Sequence, residues 1–260
     1  MSYLDELFSL DGKVAVAIGA GGVLAGAMAE ALGAAGSRVA VLDLNGEAAD
    51  ERAATIRESS GVEALGMAVD ATSEEDLKKA LGQILSLWGR VDILLNAPGI
   101  NSGTPFFEIT EDEWERILSV NLSSMFLSCQ VFGQEMVERG EGGSVINISS
   151  ASSGPPLSKV FTYSITKAGV NNLTQFLARD WAPHNVRVNA VAPGFFPAEQ
   201  NRKLLTEERT ASIMNHTPMN RFGEADELAG AVVWLASERA SGFVTGAIVR
   251  VDGGFTAMTI

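Results

Sequence analysis

Tyr163 and Lys167 are residue types that can transfer a proton, and they lie four positions apart at the start of a predicted helix. At this spacing their side chains share one face of the helix. A free phenol, with a pKa of about 10, is a poor base at pH 7, and a neighbouring ammonium lowers that pKa by stabilising the phenolate. The pair therefore predicts an activated phenol, although this spacing also arises by chance in about 5% of chains of this composition.

Two polar residues earlier in the chain strengthen this prediction. Ser150 lies thirteen residues before Tyr163, where a predicted strand ends in a loop of small residues, so its hydroxyl is expected at the carboxyl edge of a sheet. Asn121 lies between Val120 and Leu122 in a helical pattern, where an apolar residue is expected. Taken singly, Ser150 is equally well explained as a turn residue and Asn121 as a satisfied buried amide. The ordered set of four predicts a catalytic site.

A glycine-rich turn, Gly19 to Gly26, follows the first predicted strand and opens a helix. Glycines let the backbone turn tightly and approach a pyrophosphate, which the free N–H groups at a helix start can bind. The turn departs from the Gly-x-Gly-x-x-Gly spacing because Leu24 occupies the last position. Asp43 ends the second predicted strand, where a carboxylate accepts hydrogen bonds from an adenosine ribose.

The same region predicts NAD as the cofactor in preference to NADP. Asp43 would repel a 2′-phosphate, and neither Leu44 nor Asn45 supplies a cation to hold one. A helix cap or an exposed strand end is the alternative for Asp43. Asp70 and Ala71 end the third predicted strand, where a carboxylate could meet the adenine edge, and a cap for the next helix explains Asp70 equally well.

These residues are positioned by a regular alternation of short apolar runs with longer helical patterns. The alternation predicts an α/β fold: a single Rossmann-type, doubly wound, seven-stranded parallel sheet with helices on both faces, in one domain over residues 1–260. The long segment of residues 195–220 follows a predicted strand, so we predict that it forms a lid over the substrate. A solvated surface loop is the alternative. The predicted strands are Val14–Ile18, Arg38–Leu42, Ala64–Val69, Val91–Leu95, Ser144–Ile148, Arg187–Val191 and Ala247–Val251. The predicted helices are Leu24–Ala35, Glu47–Glu58, Glu74–Trp88, Glu111–Arg139, Tyr163–Trp181 and Ala225–Ser237.

The composition disfavours several other classes of protein. Acidic residues exceed basic ones by 13, which argues against binding to nucleic acid or to an anionic membrane surface. No apolar run reaches the roughly 18 residues of a membrane span, and the first residues do not resemble a secretory signal. The one cysteine, Cys129, is expected to be a buried, inert thiol, so a soluble cytoplasmic protein is expected. Without a cluster of Cys and His, no metal site is predicted.

The ordered set Asn121, Ser150, Tyr163 and Lys167 resembles the catalytic tetrad of the short-chain dehydrogenase/reductase superfamily, and the resemblance covers nearly the whole chain. It implies that Tyr163 exchanges a proton with the substrate oxygen, which Ser150 polarises. It also implies that Lys167 lowers the Tyr163 pKa and binds the nicotinamide ribose, while Asn121 holds a water that relays the proton outward. Hydride would then pass between the nicotinamide and the substrate carbon.

Other segments also resemble that superfamily, with departures in the cofactor half. Matching segments are Asn96–Gly99, Pro193–Gly194 and Val251–Gly254. The family's Gly-x-x-x-Gly-x-Gly turn is interrupted by Val23 and Ala25, its Asn-Asn-Ala-Gly segment by Ala97 and Pro98, and a frequent Thr is replaced by Ala198. The resemblance implies cofactor contacts at Gly19, Gly21, Gly22, Val23, Leu24, Asp43, Asp70, Ala71, Asn96, Ala97, Tyr163, Lys167, Pro193, Gly194 and Phe196.

The substrate prediction comes from a local likeness to the mannonate and fructuronate oxidoreductases of the superfamily, at Gly21–Leu24 and residues 195–202. It implies a small polar substrate, a sugar acid or a polyol. A sugar acid needs a cation for its carboxylate and amides for its hydroxyls. An exposed helix surface is the alternative for Arg202. The candidate substrate contacts are Asn101, Ser150, Tyr163, Gln200, Asn201 and Arg202.

Two competing functions remain open at this point. One is the reduction of another carbonyl, such as a 3-oxoacyl thioester, although the acidic surface disfavours an acidic carrier protein as partner. The other is a non-catalytic dinucleotide-binding protein, which would have no need of an activated tyrosine. In either case, the long helices Glu111–Arg139 and Tyr163–Trp181 predict pairing between subunits, as in the homotetramers of the family.

Overall fold

Short apolar and β-branched runs form the strands of one parallel sheet, in a computed structural model that describes residues 2–197 and 205–258. The strands are β1 (Val14–Ile18), β2 (Arg38–Asp43), β3 (Ala64–Ala68), β4 (Ile93–Asn96), β5 (Gly143–Ile148), β6 (Val186–Pro193) and β7 (Ile248–Val251). Their spatial order is β3-β2-β1-β4-β5-β6-β7, and each pairing is parallel. The predicted seven-stranded, doubly wound sheet is confirmed.

Helices cover both faces of this sheet. They are α1 (Tyr3–Phe8), α2 (Val23–Ala34), α3 (Gly46–Ser60), α4 (Glu74–Trp88), α5 (Glu111–Leu118), α6 (Ser124–Arg139), α7 (Phe161–Trp181), α8 (Glu207–His216), α9 (Ala229–Ala236) and α10 (Glu238–Ser241). One buried apolar cluster joins α2, α3 and α9 to the sheet, and a second joins α4, α6 and α7 to its other face. Among the described residues, no helix combines the length and the apolar character needed to span a membrane.

The strand order places the candidate residues at one edge of the sheet. β1 pairs with β2 on one side and with β4 on the other, so the connections from the middle of the sheet run in opposite directions. Open α/β sheets bind ligands in the crevice that this reversal leaves at the carboxyl ends of the strands. Gly19 follows β1, Ala97 follows β4 and Ser150 follows β5, so all three lie at this edge.

The long helix that the sequence predicts over Glu111–Arg139 is interrupted. Residues Ser119–Ser123 form a π-helical turn between α5 and α6, in which the N–H of Ser124 donates to the carbonyl of Ser119, five residues earlier. Such a turn inserts one extra residue into the helix and is frequent at functional sites. Asn121, the polar residue that breaks the apolar pattern, lies within it and is completely buried.

The predicted lid segment, residues 195–220, contains regular structure. α8 begins after Thr206, whose side chain accepts a hydrogen bond from the N–H of Arg209. At the other end of α8, the His216 ring lies 4.7 Å from the Phe255 ring, beyond β7. The described part of this segment therefore contains one regular helix that is largely exposed, while residues 198–204 lie outside the described ranges, and its role as a lid stays a prediction.

Candidate active site

The end of β5 and the start of α7 bring the predicted catalytic residues together. Tyr163 and Lys167 occupy the first turns of α7, and the Lys167 Nζ lies 5.6 Å from the centre of the phenol ring. Ser150 caps a short 3₁₀ turn after β5, where its Oγ accepts from the N–H of Ser152 at 3.2 Å, and it lies near enough to the phenol to lower the pKa of Tyr163. A Cβ on Gly99 would lie 3.6 Å from the Lys167 Nζ and 3.8 Å from the Asn121 Oδ1. All four side chains therefore belong to one cluster.

The ionisation of Tyr163 depends on its burial. Burial raises the pKa of Tyr163, and the hydrogen bond with Ser150 opposes this shift without reversing it. Burial and Ser150 account for this shift, so the lowering of the Tyr163 pKa by Lys167 stays a prediction. The Lys167 Nζ donates to the carbonyl of Ile148 at 2.8 Å instead of to the phenol.

Lys167 itself is a buried amine, with 3% of its surface exposed. Burial lowers the pKa of Lys167 to about 7, because the charged form loses its hydration. Near neutral pH the side chain is therefore divided between ammonium and amine. A sequence pattern gives the spacing of the pair, but the depth of burial that sets its ionisation depends on the packing of the whole site.

Asn121 connects the π-helical turn to the loop after β4. Its Oδ1 accepts from the N–H of Ile100 at 2.7 Å, and its Nδ2 donates to the Ile100 carbonyl at 2.9 Å. Nδ2 also donates to the Thr166 hydroxyl at 3.2 Å, one position before Lys167. The side-chain amide thus fixes the loop after β4 against α7, while the water that the resemblance implies for Asn121 stays a prediction.

Asn171 is a residue of this site that sequence reasoning missed. Its Oδ1 accepts from the Ser149 hydroxyl at 2.6 Å, and its Nδ2 donates to the Ser153 hydroxyl at 2.8 Å. Ser153 in turn donates to the carbonyl of Ser150 at 2.6 Å. The amide therefore holds the residues on both sides of Ser150. Its position, one helical turn beyond Lys167, is the only local signal, because its partners are 18 to 22 residues away.

At the cofactor edge, Gly19 and the loop after β4 are in close contact. Gly19 has a φ of +74°, a conformation that glycine adopts readily. A Cβ at this position would lie 3.0 Å from the backbone N and Cα of Pro98. Because both the conformation and the space require glycine, the turn after β1 fits closely against β4.

Gly21 and Asp43 form the best-defined part of the cofactor edge. The N–H of Gly21 donates to Asp43 Oδ2 at 3.0 Å, and the N–H of Asn45 donates to Oδ1 at 3.0 Å. A Cβ on Gly21 would lie 2.9 Å from the Ala48 Cβ and 3.0 Å from Asp43 Oδ2, which is too close. α3 is capped by Asn45, so the helix-cap alternative for Asp43 does not hold. The carboxylate is held in place with lone pairs left to accept further hydrogen bonds.

Arg52 is a cation near this turn that sequence reasoning also missed. Its Nη2 lies 3.4 Å from the carbonyl oxygen of Gly22, and it forms an ion pair with Glu30 of α2. A Cβ on Gly26 would overlap its guanidinium group. The contact with Gly22 spans 30 residues, so no local pattern reveals it. Its charge is matched by Glu30.

The side chains of two predicted cofactor residues, Asn96 and Asp70, are hydrogen-bonded to other protein groups. The Asn96 amide is completely buried and donates to the Met125 carbonyl and to Asn147 Oδ1. Asp70 accepts from the N–H and the hydroxyl of Thr72, at 2.8 and 2.7 Å, while Ser73 caps α4. Ser73 rather than Asp70 therefore caps α4, and the cofactor contacts of Asn96 and Asp70 stay predictions.

The Phe196 side chain lies largely in the interior. Its ring is 6% exposed and packs so closely against Gly223 that a Cβ there would overlap it. A cofactor contact at this residue stays a prediction.

The remaining predicted cofactor residues lie near the crevice. Val23 begins α2 and is half-exposed, and no side chain caps this helix. The N–H of Gly194 donates to the Val251 carbonyl at 2.9 Å, which ties the end of β6 to β7. Of the predicted cofactor residues, Leu24, Ala71 and Ala97 are partly buried and pack against the two apolar clusters. Gly22 caps α2, and Pro193 ends β6.

Of the predicted substrate residues, Asn101 is exposed in the loop after β4, where its Oδ1 accepts from the N–H of Ser102. Gln200, Asn201 and Arg202 lie outside the described residues, as does Ala198. Within the described ranges, no three His, Cys, Asp or Glu side chains gather as they would around a metal ion. Cys129 is buried, and burial raises its thiol pKa to about 12.

The described residues fit a dinucleotide. The uncapped start of α2 leaves N–H groups for a pyrophosphate, and Gly21 keeps the space beside Asp43 open for a ribose. Lys167 is a buried donor at the catalytic end of the same crevice. At the same edge of the sheet, the start of α2 thus supplies an anion site, Asp43 a hydrogen-bond acceptor and Lys167 a hydrogen-bond donor.

Comparison with known proteins agrees with this geometry. Residues 19–256 match the model of the enoyl-(acyl carrier protein) reductase family. An uncharacterised oxidoreductase of Bacillus subtilis is 39% identical, with 96% of each chain covered. A solved gluconate 5-dehydrogenase from Burkholderia cenocepacia, in complex with NADP and tartrate, has a TM-score of 0.93 at 32% identity, covering 99% of this chain and 100% of the other. A solved candidate D-mannonate oxidoreductase from Haemophilus influenza, with bound NAD, has a TM-score of 0.91 at 34% identity, covering 98% and 99%.

These matches extend over most of the chain and include relatives above 30% identity that cover 96% of it or more. The TM-scores of the solved relatives agree with the parallel sheet. The protein therefore belongs to the short-chain dehydrogenase/reductase superfamily, whose enzymes use NAD or NADP to act on CH–OH groups.

Proposed function

We propose that this protein is an NAD-dependent dehydrogenase that transfers a hydride between nicotinamide and the alcohol or ketone of a sugar acid or polyol. The observation that carries the proposal is the convergence of the Tyr163 phenol, the Ser150 hydroxyl and the Lys167 amine at the edge where the cofactor turn lies. This arrangement can hold a substrate oxygen and move a proton to or from it.

Tyr163 is the proton carrier in this mechanism. Because burial raises its pKa, the phenol is protonated at neutral pH and can donate to a carbonyl oxygen in the direction of reduction. Ser150 hydrogen-bonds with the same oxygen and stabilises the charge that develops there. In the direction of oxidation, the charged form of Lys167 favours the phenolate. A bound nicotinamide supplies or accepts the hydride.

Asn121 and Asn171 act as positioning residues. Asn121 fixes the loop after β4 at Ile100, and Asn171 fixes Ser149 and Ser153 around the catalytic serine. Neither amide needs to touch the substrate for this role. Each amide both donates and accepts, so Asn121 holds the Ile100 backbone and Asn171 holds the loop of Ser150.

The preference for NAD is supported by Asp43, whose carboxylate would repel a 2′-phosphate, and by the pairing of Arg52 with Glu30. The solved relatives contain NADP in one case and NAD in the other, so the likeness does not choose between them. Asp43→Ala should raise KM for NAD about tenfold and alter KM for NADP less. Asp50→Ala, an exposed change on α3, is the control, and equal effects on both cofactors would contradict the assignment.

The substrate class is supported by the relatives named for gluconate and mannonate and by the polar crevice. The test is a panel of aldonic acids, polyols, keto acids and an acetoacetyl thioester, with NAD and with NADP, followed at the nicotinamide absorbance. We expect turnover with sugar acids or polyols and NAD. Turnover of the thioester alone would replace this proposal with the acyl-reductase alternative, and NAD binding without any turnover would support a non-catalytic role.

We also propose that the chain acts as one domain, with residues 195–220 covering the substrate, and assembles as a homotetramer in the cytoplasm. Exposed apolar side chains on α6 and α7, namely Phe126, Ile165 and Phe176, support pairing of these helices between subunits. Light scattering should give four times the mass of the chain, and Phe176→Glu should lower it. A monomeric wild type would contradict the assembly.

A further inference from the structure

The loop that joins Ser150 to Tyr163 contains a lysine in an unfavourable backbone conformation. Lys159 has a φ of +67°. The other non-glycine residues with positive φ in the described ranges are Asn185 and Asn220, and asparagine tolerates this conformation. Lysine does not, and such conformations persist only where the surroundings impose them, often at ligand sites.

Two neighbours hold Lys159 in this conformation. The next residue, Val160, is 4% exposed and caps α7. The carbonyl of the preceding residue, Ser158, accepts a hydrogen bond from Arg209 Nη2 at 3.1 Å. Arg209 belongs to α8, so the loop is fixed between the helix that carries Tyr163 and the helix of the lid segment.

Lys159 and Arg209 are two cations without a carboxylate partner among the described residues. Acidic residues outnumber basic ones by 32 to 19. Nine lysines and arginines of the described residues form ion pairs with carboxylates, and Lys159 and Arg209 are among those that form none. Arg209 contacts the carbonyl of Ser158, the residue before Lys159. Lys159 is exposed and Arg209 half-buried, so both are open to an anion.

The position of these cations relative to the reacting groups indicates their ligand. Lys159 lies four residues before Tyr163, in the loop that leads from Ser150 to the phenol. A substrate whose hydroxyl is bound by Tyr163 and Ser150 lies next to the loop that carries Lys159, since this loop joins the two residues and is contacted by Arg209 of α8. A carboxylate on such a substrate would meet a lysine, which acts as a flexible point charge, and an arginine, which can bind it through two N–H groups.

We propose that Lys159, assisted by Arg209, binds the carboxylate of the substrate and makes the enzyme specific for sugar acids over neutral polyols. This inference rests on the proposed function, because it names the substrate class for the same site. It goes further in assigning the carboxylate to residues that the sequence analysis did not select. The unfavourable conformation of Lys159 is then the cost of placing its charge at the rim of the site.

The test measures binding rather than turnover, so that it does not depend on finding the natural substrate. D-gluconate and sorbitol carry the same chain of hydroxyls and differ in the carboxylate. Their affinities for the NADH complex are measured by calorimetry in wild type, Lys159→Gln, Lys159→Arg and the control Lys78→Gln, a change on the exposed face of α4. We expect wild type to bind gluconate at least about tenfold more tightly than sorbitol.

Lys159→Gln should remove this difference by weakening gluconate alone, Lys159→Arg should retain most of it, and Lys78→Gln should retain all of it. Lys159→Gly should also lose selectivity for gluconate, while raising the melting temperature because glycine accepts the positive φ. A loss of selectivity together with a gain in stability separates a ligand-binding role from a structural one.

Three results would overturn the inference: equal binding of the two probes to wild type, no binding of gluconate, or an unchanged gluconate affinity in Lys159→Gln. Turnover of polyols with NAD alongside any of these results would leave the proposed dehydrogenase intact. Conversely, gluconate binding through Lys159 without nicotinamide-coupled turnover of any hydroxy acid would support the inference and contradict the proposed function.

Discussion

The cofactor edge and the catalytic edge of this sheet are built in different ways. Around Gly19 and Gly21, the site is shaped by close contacts between backbone atoms, and a single Cβ would collide with Pro98 or Asp43. Around Ser150, by contrast, the loop of the catalytic serine is held by side-chain hydrogen bonds from Asn171 and Ser153, which do not themselves react. The first region therefore depends on shape, and the second depends on a polar network.

The largest expected effect comes from removing the proton carrier of the network. Tyr163→Phe removes one hydroxyl and keeps the ring, so turnover should fall about a thousandfold or more, while NAD affinity changes little. Steady-state rates and calorimetric titration with NAD measure the two quantities. Unchanged turnover would show that the polar network is not the catalytic centre.

The buried amine of Lys167 should make stability depend on pH. Its pKa is about 7 in the folded chain and near 10.4 when exposed, so the unfolded chain binds more protons between these values. The free energy of unfolding should therefore rise with pH from about 7 to about 10. Below pH 7 it should no longer change through this group, because the destabilisation from burying Lys167 has reached its full value there.

Lys167→Met should flatten that rise, and Lys78→Met, at an exposed position, should not. Denaturant unfolding at several pH values measures the slope in each protein. A slope in Lys167→Met equal to that of the wild type would place the pH dependence in another group.

A smaller effect is expected from Asn171, which positions Ser150 without reacting. Asn171→Asp keeps an acceptor for the Ser149 hydroxyl and loses the donor to Ser153, so kcat should fall about tenfold with little change in KM for NAD. Asn172→Asp, on the exposed face of the same helix, is the matched control. Equal kcat values in the two variants would mean that Ser150 does not depend on this network.

The smallest effect tests the role of shape at the cofactor edge. Gly21→Ala places a Cβ 3.0 Å from Asp43 Oδ2 and should raise KM for NAD roughly fivefold, without changing the pH profile of kcat. At Gly22 the nearest protein atom to a new Cβ is 4.0 Å away, so Gly22→Ala controls for a general effect of alanine in the turn. If both variants behave alike, the contact with Asp43 is not what shapes the ribose site.

The sequence predicts the elements of this fold well because strands in a doubly covered parallel sheet are short, apolar and bounded by turn residues. It predicts the family and the proximity of Tyr163, Lys167 and Ser150 because one helix and one strand end fix their positions. What it misses depends on contacts between distant segments. The partners of Asn171 and Arg52 are 18 to 30 residues away, and no local pattern distinguishes them from surface residues.

Burial accounts for the other differences. Phe196 and Asn96 lie in segments that resemble cofactor-binding ones, but packing turns their side chains into the interior. The pKa of Tyr163 depends on how completely the site excludes water, which residue spacing does not reveal. At the interruption Ser119–Ser123, Asn121 breaks the apolar pattern, but a polar residue alone does not indicate a π-helical turn, which only the hydrogen bonds reveal.

The π-helical turn also fixes the length of the chain between α5 and α6. Each residue of a helix accounts for about 100° of rotation, so removing one residue from Ser119–Ser123 would regularise the helix and turn Asn121 away from Ile100. Single-residue deletions should therefore be tolerated in the surface connection at residues 61–63 and should abolish activity within this turn. In this segment, evolution and engineering can exchange side chains much more freely than they can change the number of residues.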